Sequence, residues 1–217
     1  MGALRFTYPA VPIHNIQREH GRVGKTQCAH ATTYYKNFMK INPMSFYRRS
    51  FIPGGTYFFT VTLADRRSPL LVEQINRLRT ENGGVQQKYP FETAAICILP
   101  EHLHAIWIMP PDDADYSRRW NSIKGNFSRG LPAAPARSAS KLRQREKGIW
   151  QRRFWEHQIR DEEDLQRHVD YVHFNPVKHG LVKRVADWEF SSFHQRVARG
   201  ILSLDWAGDS RDGSFGE

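Results

Sequence analysis

Alternation of side-chain character predicts the first strands of the chain. In residues 57–63 the four odd-numbered positions are hydrophobic and would share one face, because successive strand residues point to opposite faces. Residues 93–99 and 104–109 are hydrophobic at nearly every position, which is typical of strands that are covered on both faces. The short connector Leu99-Pro100-Glu101-His102 indicates that these two strands form a hairpin.

Helical periodicity accounts for most of the remaining hydrophobic positions. Apolar side chains spaced three or four residues apart predict helices over residues 69–88, 116–128 and 161–175. Asp161 is the predicted N-cap of the last helix, and Pro176 is predicted to end it. A fourth strand is predicted within residues 149–159. The order β-α-β-β-α-β-α indicates a ferredoxin-like (split βαβ) α+β fold, an antiparallel sheet with helices packed on one face.

Regular patterning is confined to the middle of the chain. Residues 1–43 show no sustained period and contain three prolines, so we expect a poorly ordered basic extension. Residues 44–204 are expected to form one domain, in which the Ala/Pro/Ser/Arg/Lys-rich residues 130–148 form a basic loop. Residues 205–217 form an acidic tail.

The distribution of charge indicates a polyanionic partner. The 217 residues include 32 Lys and Arg against 22 Asp and Glu, a formal net charge of +10. Residues 118–160, the basic segment, contain 12 Lys and Arg and 2 Glu. This segment therefore carries as much net charge as the whole chain, which favours a nucleic acid partner.

Other classes of protein are disfavoured by composition. Cys28 and Cys97 are the two cysteines, which excludes a disulfide framework and a thiolate zinc site. No stretch approaches the roughly 20 apolar residues of a membrane span, and the N-terminus lacks the apolar run of a secretory signal. We therefore expect a cytoplasmic protein that does not contact a membrane.

The first candidate for chemistry is the pair of histidines in His102-Leu103-His104. Residues two apart on a strand point the same way, so both imidazoles should project from one face with Leu103 behind them. Two neutral imidazoles at that spacing can bind one divalent cation. The same spacing also occurs without a metal, which leaves a structural role open.

The second candidate lies on the last predicted helix. At about 100° per residue, a hydrophobic stripe through Val169 and Val172 is flanked by a polar stripe. The polar stripe contains Asp164, His168, Tyr171 and Asn175. Tyr171 and Asn175 are one turn apart and are therefore neighbours. A half-buried tyrosine and a helix-ending asparagine are the alternative interpretation.

The two candidates together predict phosphoryl chemistry on DNA. A divalent ion held by His102, His104 and the amide oxygen of Asn175 could polarise a phosphate that Tyr171 attacks, leaving a phosphotyrosyl-DNA link and a 3′-hydroxyl. The basic segment would hold the backbone, and its aromatic residues could stack unpaired bases, although most are expected in the core. These aromatic residues are Trp120, Phe127, Trp150, Phe154 and Trp155.

Several motifs resemble those of one transposase family. Leu99-Pro100-Glu101-His102-Leu103-His104 resembles the HUH strand of IS200-like transposases. Trp-Gln-Arg-Arg-Phe-Trp-Glu-His at residues 150–157 and Tyr-Val-His-Phe-Asn-Pro-Val-Lys-His-Gly at residues 171–180 resemble the later motifs of the REP-associated tyrosine transposases. The resemblance runs from about Met44 to the C-terminus and includes Tyr47-Arg48-Arg49.

The resemblance implies an enzyme with an HUH-type catalytic domain. Such enzymes cleave and rejoin single-stranded DNA at repetitive extragenic palindromes folded as hairpins, using Mg²⁺ or Mn²⁺ and one tyrosine. His102 and His104 match the metal histidines, Tyr171 matches the nucleophile, and Asn175 stands where related enzymes place a third ligand, often Gln. The implied enzyme is a monomer that acts at the nucleoid. Its candidate DNA contacts are Tyr47, Arg48, Arg49, Lys124, Arg152, Arg153 and Lys178.

A non-catalytic module that binds single-stranded nucleic acid is the alternative function. RNA-recognition domains also combine a ferredoxin-like sheet with aromatic residues and basic loops. Such a module would bind its ligand in the presence of EDTA and would not cleave it.

Overall fold

The computed structural model describes residues 49–206. The strands are β1 (Thr56–Thr62), β2 (Glu92–Ile98), β3 (His102–Ile108) and β4 (Trp155–Gln158). The helices are α1 (Leu70–Glu73), α2 (Ile75–Lys88), α3 (Tyr116–Arg129), α4 (Ala139–Arg143), α5 (Glu162–Lys178) and α6 (Phe193–Ala198), with a 3-10 turn at Val185–Asp187. The extension at residues 1–43, Tyr47, Arg48 and most of the acidic tail lie outside the described residues.

The four strands form one sheet in the order β2-β3-β1-β4, and all neighbouring strands are antiparallel. Because β3 lies between β1 and β2, the β1-α-β2 unit is split as in a ferredoxin-like fold. The predicted α+β class and antiparallel sheet are confirmed.

The prediction that the helices pack on one face is wrong. The odd-numbered residues of β1 and β3, such as Phe59 and Trp107, join a large core with α2 and α3. The indole of Trp107 stacks on that of Trp120 from α3 at 4.1 Å. The even-numbered Phe58 and Ile106 pack instead with Val169 and Val172 of α5 on the opposite face. β2 and β3 are hydrophobic on both faces, and a sheet of that kind needs a covering layer on each side.

The free edge of β2 is covered by the chain beyond α5. The Ile98 N–H donates to the Phe190 carbonyl, and the Ser192 N–H donates to the Ile96 carbonyl, each at 2.8 Å. These hydrogen bonds satisfy backbone groups that an edge strand would otherwise expose. They cover the backbone edge of β2, the outermost strand, while the helices cover its two faces.

α5 does not end at Pro176, as the sequence predicted, but continues to Lys178. Asp161 is the N-cap of α5, as predicted, since its carboxylate accepts a hydrogen bond from the Asp164 N–H at 2.8 Å. At its C-terminus Gly180 has φ +68°. The Gly180 N–H donates to the Val177 carbonyl and the Leu181 N–H to the Pro176 carbonyl, both at 2.9 Å. This pair of bonds is a Schellman motif, so the glycine rather than the proline sets the end of the helix.

Other boundaries differ by smaller amounts. The fourth strand spans four residues rather than 149–159, and the predicted basic loop at residues 130–148 contains the short helix α4. Asn82-Gly83-Gly84 lies inside α2 without interrupting it. None of the helices within residues 49–206 combines the length and hydrophobicity that crossing a membrane requires.

Candidate active site

The two histidines of β3 lie on the face of the sheet that α5 covers. His102 and His104 are 4% and 3% exposed, and their Nε2 atoms approach each other to 3.2 Å. The Nδ1 atom of His102 lies 2.9 Å from a Glu101 carboxylate oxygen. The Nδ1 atom of His104 lies 3.0 Å from the hydroxyl of Thr60, its cross-strand neighbour on β1. Each ring is therefore fixed through Nδ1, and both Nε2 atoms are directed to one point.

The protonation state of the pair suits metal binding. Burial lowers the pKa of His104 well below its usual range, and the neighbouring His102, His179 and Lys178 lower it further. Burial also lowers the pKa of His102, although the Glu101 carboxylate partly offsets that effect. Both imidazoles are therefore neutral near pH 7, the form that binds a cation.

The geometry of the pair fits a shared ion. An ion about 2.1 Å from each nitrogen, at an angle between 90° and tetrahedral, separates the two nitrogens by roughly 3.0–3.4 Å. The Nε2 separation of 3.2 Å falls in that interval. Asn175 lies beside them on α5, completely buried, and contributes a hydrogen bond that raises the pKa of His104. Its Oδ1 and Nδ2 atoms otherwise have no partner among residues 49–206, and a buried amide of that kind calls for a partner such as a water or an ion.

Tyr171 of α5 packs against His104. Its ring is half-buried and lies 5.1 Å from the His104 ring, edge to face. It also contacts Phe58 of β1 at 5.9 Å. The ammonium of Lys178 lies 4.8 Å from the centre of the phenol ring. The two sequence candidates, one on a strand and one on a helix, are thus in contact.

His179 is a member of this cluster that the sequence patterns did not identify. Its ring lies 5.2 Å from that of His102. Burial lowers the pKa of His179, and the Lys178 ammonium lowers it further. The helix was predicted to end at residue 175, which left His179 in an unassigned loop. The glycine at position 180 was the signal that could have placed it at the helix end.

A second cluster, which we call the His-Asp clamp, consists of His157 from β4 and Asp164 and His168 from α5. Asp164 Oδ2 lies 2.8 Å from His157 Nε2, and Asp164 Oδ1 lies 3.1 Å from His168 Nδ1. The ligand atoms of these residues lie within 4.8 Å of one another, close enough to share an ion. However, Asp164 Oδ2 also accepts the Arg160 N–H at 3.1 Å.

The electrostatics of the clamp favour a hydrogen-bonded network. Burial alone would raise the pKa of Asp164, but the hydrogen bond and charge of His157 outweigh it, so the pKa lies below the usual value. The clamp joins the start of α5 to the edge strand.

The predicted DNA contacts are not gathered in one place. Arg49 lies 3.4 Å from Glu156 and 4.3 Å above the Phe154 ring. Lys124 is buried, and its ammonium donates to the carbonyls of Gln151 at 2.6 Å and of Arg152 at 3.1 Å. Burial lowers the pKa of Lys124 to about 8.

The remaining predicted cations are on the surface. Arg152 is exposed and pairs with Glu146 at 2.8 Å. Arg153 and Lys178 are also exposed, and Lys178 lies at Tyr171. Of the described candidates, these three present charge to the solvent, and Lys178 is the one that lies beside Tyr171.

Known proteins resemble this chain over most of its length. A protein of Escherichia coli (strain K12) named REP-associated tyrosine transposase is 50% identical over 174 residues, covering 80% of this chain and 98% of the relative. A Haemophilus influenzae protein with the same family name is 50% identical over 168 residues, covering 76% of this chain and 95% of the relative. No protein-family model matches.

The fold of the chain also matches a solved structure. A REP-associated tyrosine transposase bound to a REP hairpin superimposes with a TM-score of 0.67 at 50% identity, covering 80% of this chain and 98% of that chain. Identity at this level across nearly the whole relative, together with a shared fold, establishes the family. The chain is a member of the REP-associated tyrosine transposases, a family of metal-dependent HUH tyrosine enzymes.

Proposed function

We propose that the chain cleaves and rejoins single-stranded DNA at palindromic repeat hairpins, with Tyr171 as the nucleophile. The observation that supports this role is the contact between the Tyr171 and His104 rings at 5.1 Å. It brings the phenol ring next to the buried histidine pair. A purely structural tyrosine would not need two buried, neutral imidazoles aimed at one position beside it.

In the proposed cleavage step, the phenol oxygen of Tyr171 loses its proton and forms a bond to the scissile phosphorus. The bond from phosphorus to the 3′ oxygen of the preceding nucleotide breaks, and that oxygen takes up a proton. The products are a 5′-phosphotyrosyl link and a 3′-hydroxyl. Rejoining is the reverse attack by a 3′-hydroxyl, which releases the tyrosine.

The residues proposed to hold the metal are His102, His104 and Asn175. A Mg²⁺ or Mn²⁺ ion held there would supply Lewis-acid polarisation of a non-bridging phosphate oxygen and would help to orient the phosphate. Glu101 and Thr60 fix the two rings through Nδ1, a task that outer-shell groups commonly perform for metal-binding histidines. Lys178 supplies positive charge next to the phenol ring, where the phosphate would lie.

The relationship to the solved relative supports the choice of substrate. That relative is bound to a REP hairpin, and the basic segment of this chain supplies charge for a DNA backbone. Tyr171 contacts His104 of the same chain, which supports a monomeric enzyme. A REP hairpin as substrate supports a reaction in the cytoplasm, at the nucleoid.

The test is the formation of a covalent adduct. The protein is incubated with Mn²⁺ and a DNA hairpin that carries single-stranded extensions, labelled at either its 5′ or its 3′ end. A protein–DNA band that resists denaturation should form with the 3′ label only, because the phosphotyrosine holds the downstream fragment. EDTA and Tyr171→Phe should each abolish the band.

Tyr89→Phe is the matched control, since Tyr89 lies against Arg118 away from the histidine pair. It should form the adduct normally. If Tyr171→Phe still forms the adduct, Tyr171 is not the nucleophile. If the intact protein binds the hairpin in EDTA and forms no adduct with Mn²⁺, the alternative of a non-catalytic binding module is correct.

A further inference from the structure

We propose that Trp155 is a stacking platform for one unpaired base next to the scissile phosphate. The inference rests on the proposed function, because it describes how the DNA is held at the same site. It concerns a residue that has no part in the chemistry itself.

Burial separates Trp155 from the other aromatic residues of the basic segment. Trp120, Phe127, Trp150 and Phe154 are 0–9% exposed and belong to the core beneath α2 and α3. Trp155 is 40% exposed. Of the five aromatic residues that the sequence offered for base stacking, it alone presents substantial ring surface to solvent.

Strand register places Trp155 on the face that carries the candidate active site. Trp155 pairs with Thr60 of β1, and Thr60 pairs on its other side with His104. Three adjacent strands thus align the indole, the Thr60 hydroxyl and the imidazole. With strands about 4.8 Å apart, the Trp155 and His104 backbones are separated by about 10 Å.

One buried ring connects Trp155 to the reacting groups. The Phe58 ring contacts the Trp155 indole at 5.6 Å, the His104 imidazole at 5.4 Å and the Tyr171 phenol at 5.9 Å. Stacked nucleotides rise about 3.4 Å per residue along one strand. A base on the indole therefore lies within about three nucleotides of a phosphate at Tyr171.

The orientation of the indole is fixed by the His-Asp clamp. The Trp155 and His157 rings are parallel within 5° at 6.0 Å, and His157 is held by Asp164 at 2.8 Å. His157 in turn stacks on His168 at 4.7 Å. A ring held in this way loses little conformational freedom when a base stacks on it.

The charges around Trp155 suit a single strand. Arg153 and Arg152 stand two and three residues before it in the chain and are exposed, and Lys178 lies at Tyr171. A flat aromatic surface beside cations that can follow the backbone is how proteins bind unpaired nucleotides with little sequence preference. A single exposed tryptophan is unremarkable elsewhere on a surface; here its position beside Tyr171 supports the inference.

The experiment is a binding measurement, so its outcome is independent of cleavage. The probe is the REP hairpin of the solved relative, extended by a few unpaired nucleotides on each side, with 2-aminopurine at each unpaired position in turn. Binding should quench the fluorophore at one position within about three nucleotides of the cleavage site. Trp155→Ala should abolish that quenching, and Trp155→Phe, which keeps an aromatic face, should retain part of it.

A thermodynamic cycle then tests for stacking. An abasic site at the quenched position should weaken binding to the intact protein by roughly 5- to 150-fold, the range for one stacked base, and by less than about 2-fold in Trp155→Ala. Phe51→Ala is the control, because Phe51 is 52% exposed but stacks on Tyr116 on the opposite face of the sheet. It should bind both probes like the intact protein.

Equal abasic penalties in the intact protein and in Trp155→Ala would overturn the proposal. So would an affinity loss in Trp155→Ala that does not depend on which base is removed, since that result indicates a structural role. Adduct formation by the intact protein reports on the proposed function separately.

Discussion

Asn175 offers a perturbation in which stability and metal affinity should change independently. Its amide is completely buried, and apart from its approach to His104 it has no partner within residues 49–206. We predict that Asn175→Leu, which keeps the branching of the side chain, does not destabilise the protein in EDTA. Removing unsatisfied buried polar atoms contributes about 1–3 kcal/mol, and accommodating the larger methyl groups offsets part of that gain.

In EDTA, the free energy of unfolding of Asn175→Leu should therefore lie between that of the parent protein and a value about 2 kcal/mol higher. Addition of Mn²⁺ at a hundred times its dissociation constant should stabilise the parent protein by about 2.7 kcal/mol. A tenfold loss of affinity in Asn175→Leu would reduce that increment to about 1.4 kcal/mol at the same concentration. Urea denaturation of the parent protein and of Asn175→Leu, each in EDTA and in Mn²⁺, measures the four free energies of unfolding.

Asn175→Asp should show the opposite pattern. It places an uncompensated carboxylate in the core, which destabilises the protein in EDTA, and Mn²⁺ should restore the stability. Asn82→Leu, at a buried asparagine of α2 on the other face, should leave the Mn²⁺ increment unchanged. A loss of more than about 1 kcal/mol in EDTA for Asn175→Leu, or an unchanged Mn²⁺ increment, would refute the assignment of Asn175 as a ligand.

Three further predictions concern other parts of the molecule. Glu101→Gln should weaken Mn²⁺ binding about 10- to 100-fold, because the carboxylate that orients His102 is lost; Mn²⁺ electron paramagnetic resonance measures the affinity, and an unchanged value would contradict the role. Lys124→Met should destabilise the protein by about 1–3 kcal/mol, because two carbonyls lose their donor, and it should leave the salt dependence of DNA binding unchanged. Arg153→Ala should leave stability unchanged, but it should reduce by about 0.7 the slope of the logarithm of the DNA-binding constant against the logarithm of the salt concentration. Burial lowers the pKa of His173 to about 3, below the value of about 6.5 in an unfolded chain, so the unfolded state binds the extra proton and stability should fall as the pH drops below about 6.5. His173→Gln should flatten that decline by about 1.4 kcal/mol per pH unit in urea titrations; an unchanged slope would show that His173 is protonated in the native state.

Local patterns predicted the strands better than the arrangement of layers. Alternation in residues 57–63 and the apolar runs at residues 93–99 and 104–109 are short-range signals, and they correctly predicted β1, β2 and β3. The apolar runs at residues 93–99 and 104–109 also indicate that both faces of the sheet are covered. The ferredoxin-like plan instead predicted helices on one face. α5 supplies the missing layer, and its position depends on packing between residues far apart in the chain.

The candidate site was predictable only where its parts are local. The two-residue spacing of His102 and His104 fixes their common face, and the spacing of Tyr171 and Asn175 fixes theirs. The meeting of these two faces follows from packing that no short-range pattern encodes. Lys124 was predicted as a DNA contact from its charge, which does not show that its ammonium lies against backbone carbonyls.

The identity of the residue that becomes linked to DNA is the most direct test of the central claim. The adduct formed with Mn²⁺ is digested with nuclease and trypsin, and the nucleotide-bearing peptide is sequenced by mass spectrometry. Cleavage after Arg167 and Lys178 yields a peptide in which Tyr171 is the sole tyrosine. We predict that this peptide carries the 5′-phosphoryl nucleotide on Tyr171. A nucleotide on any other residue would contradict the account.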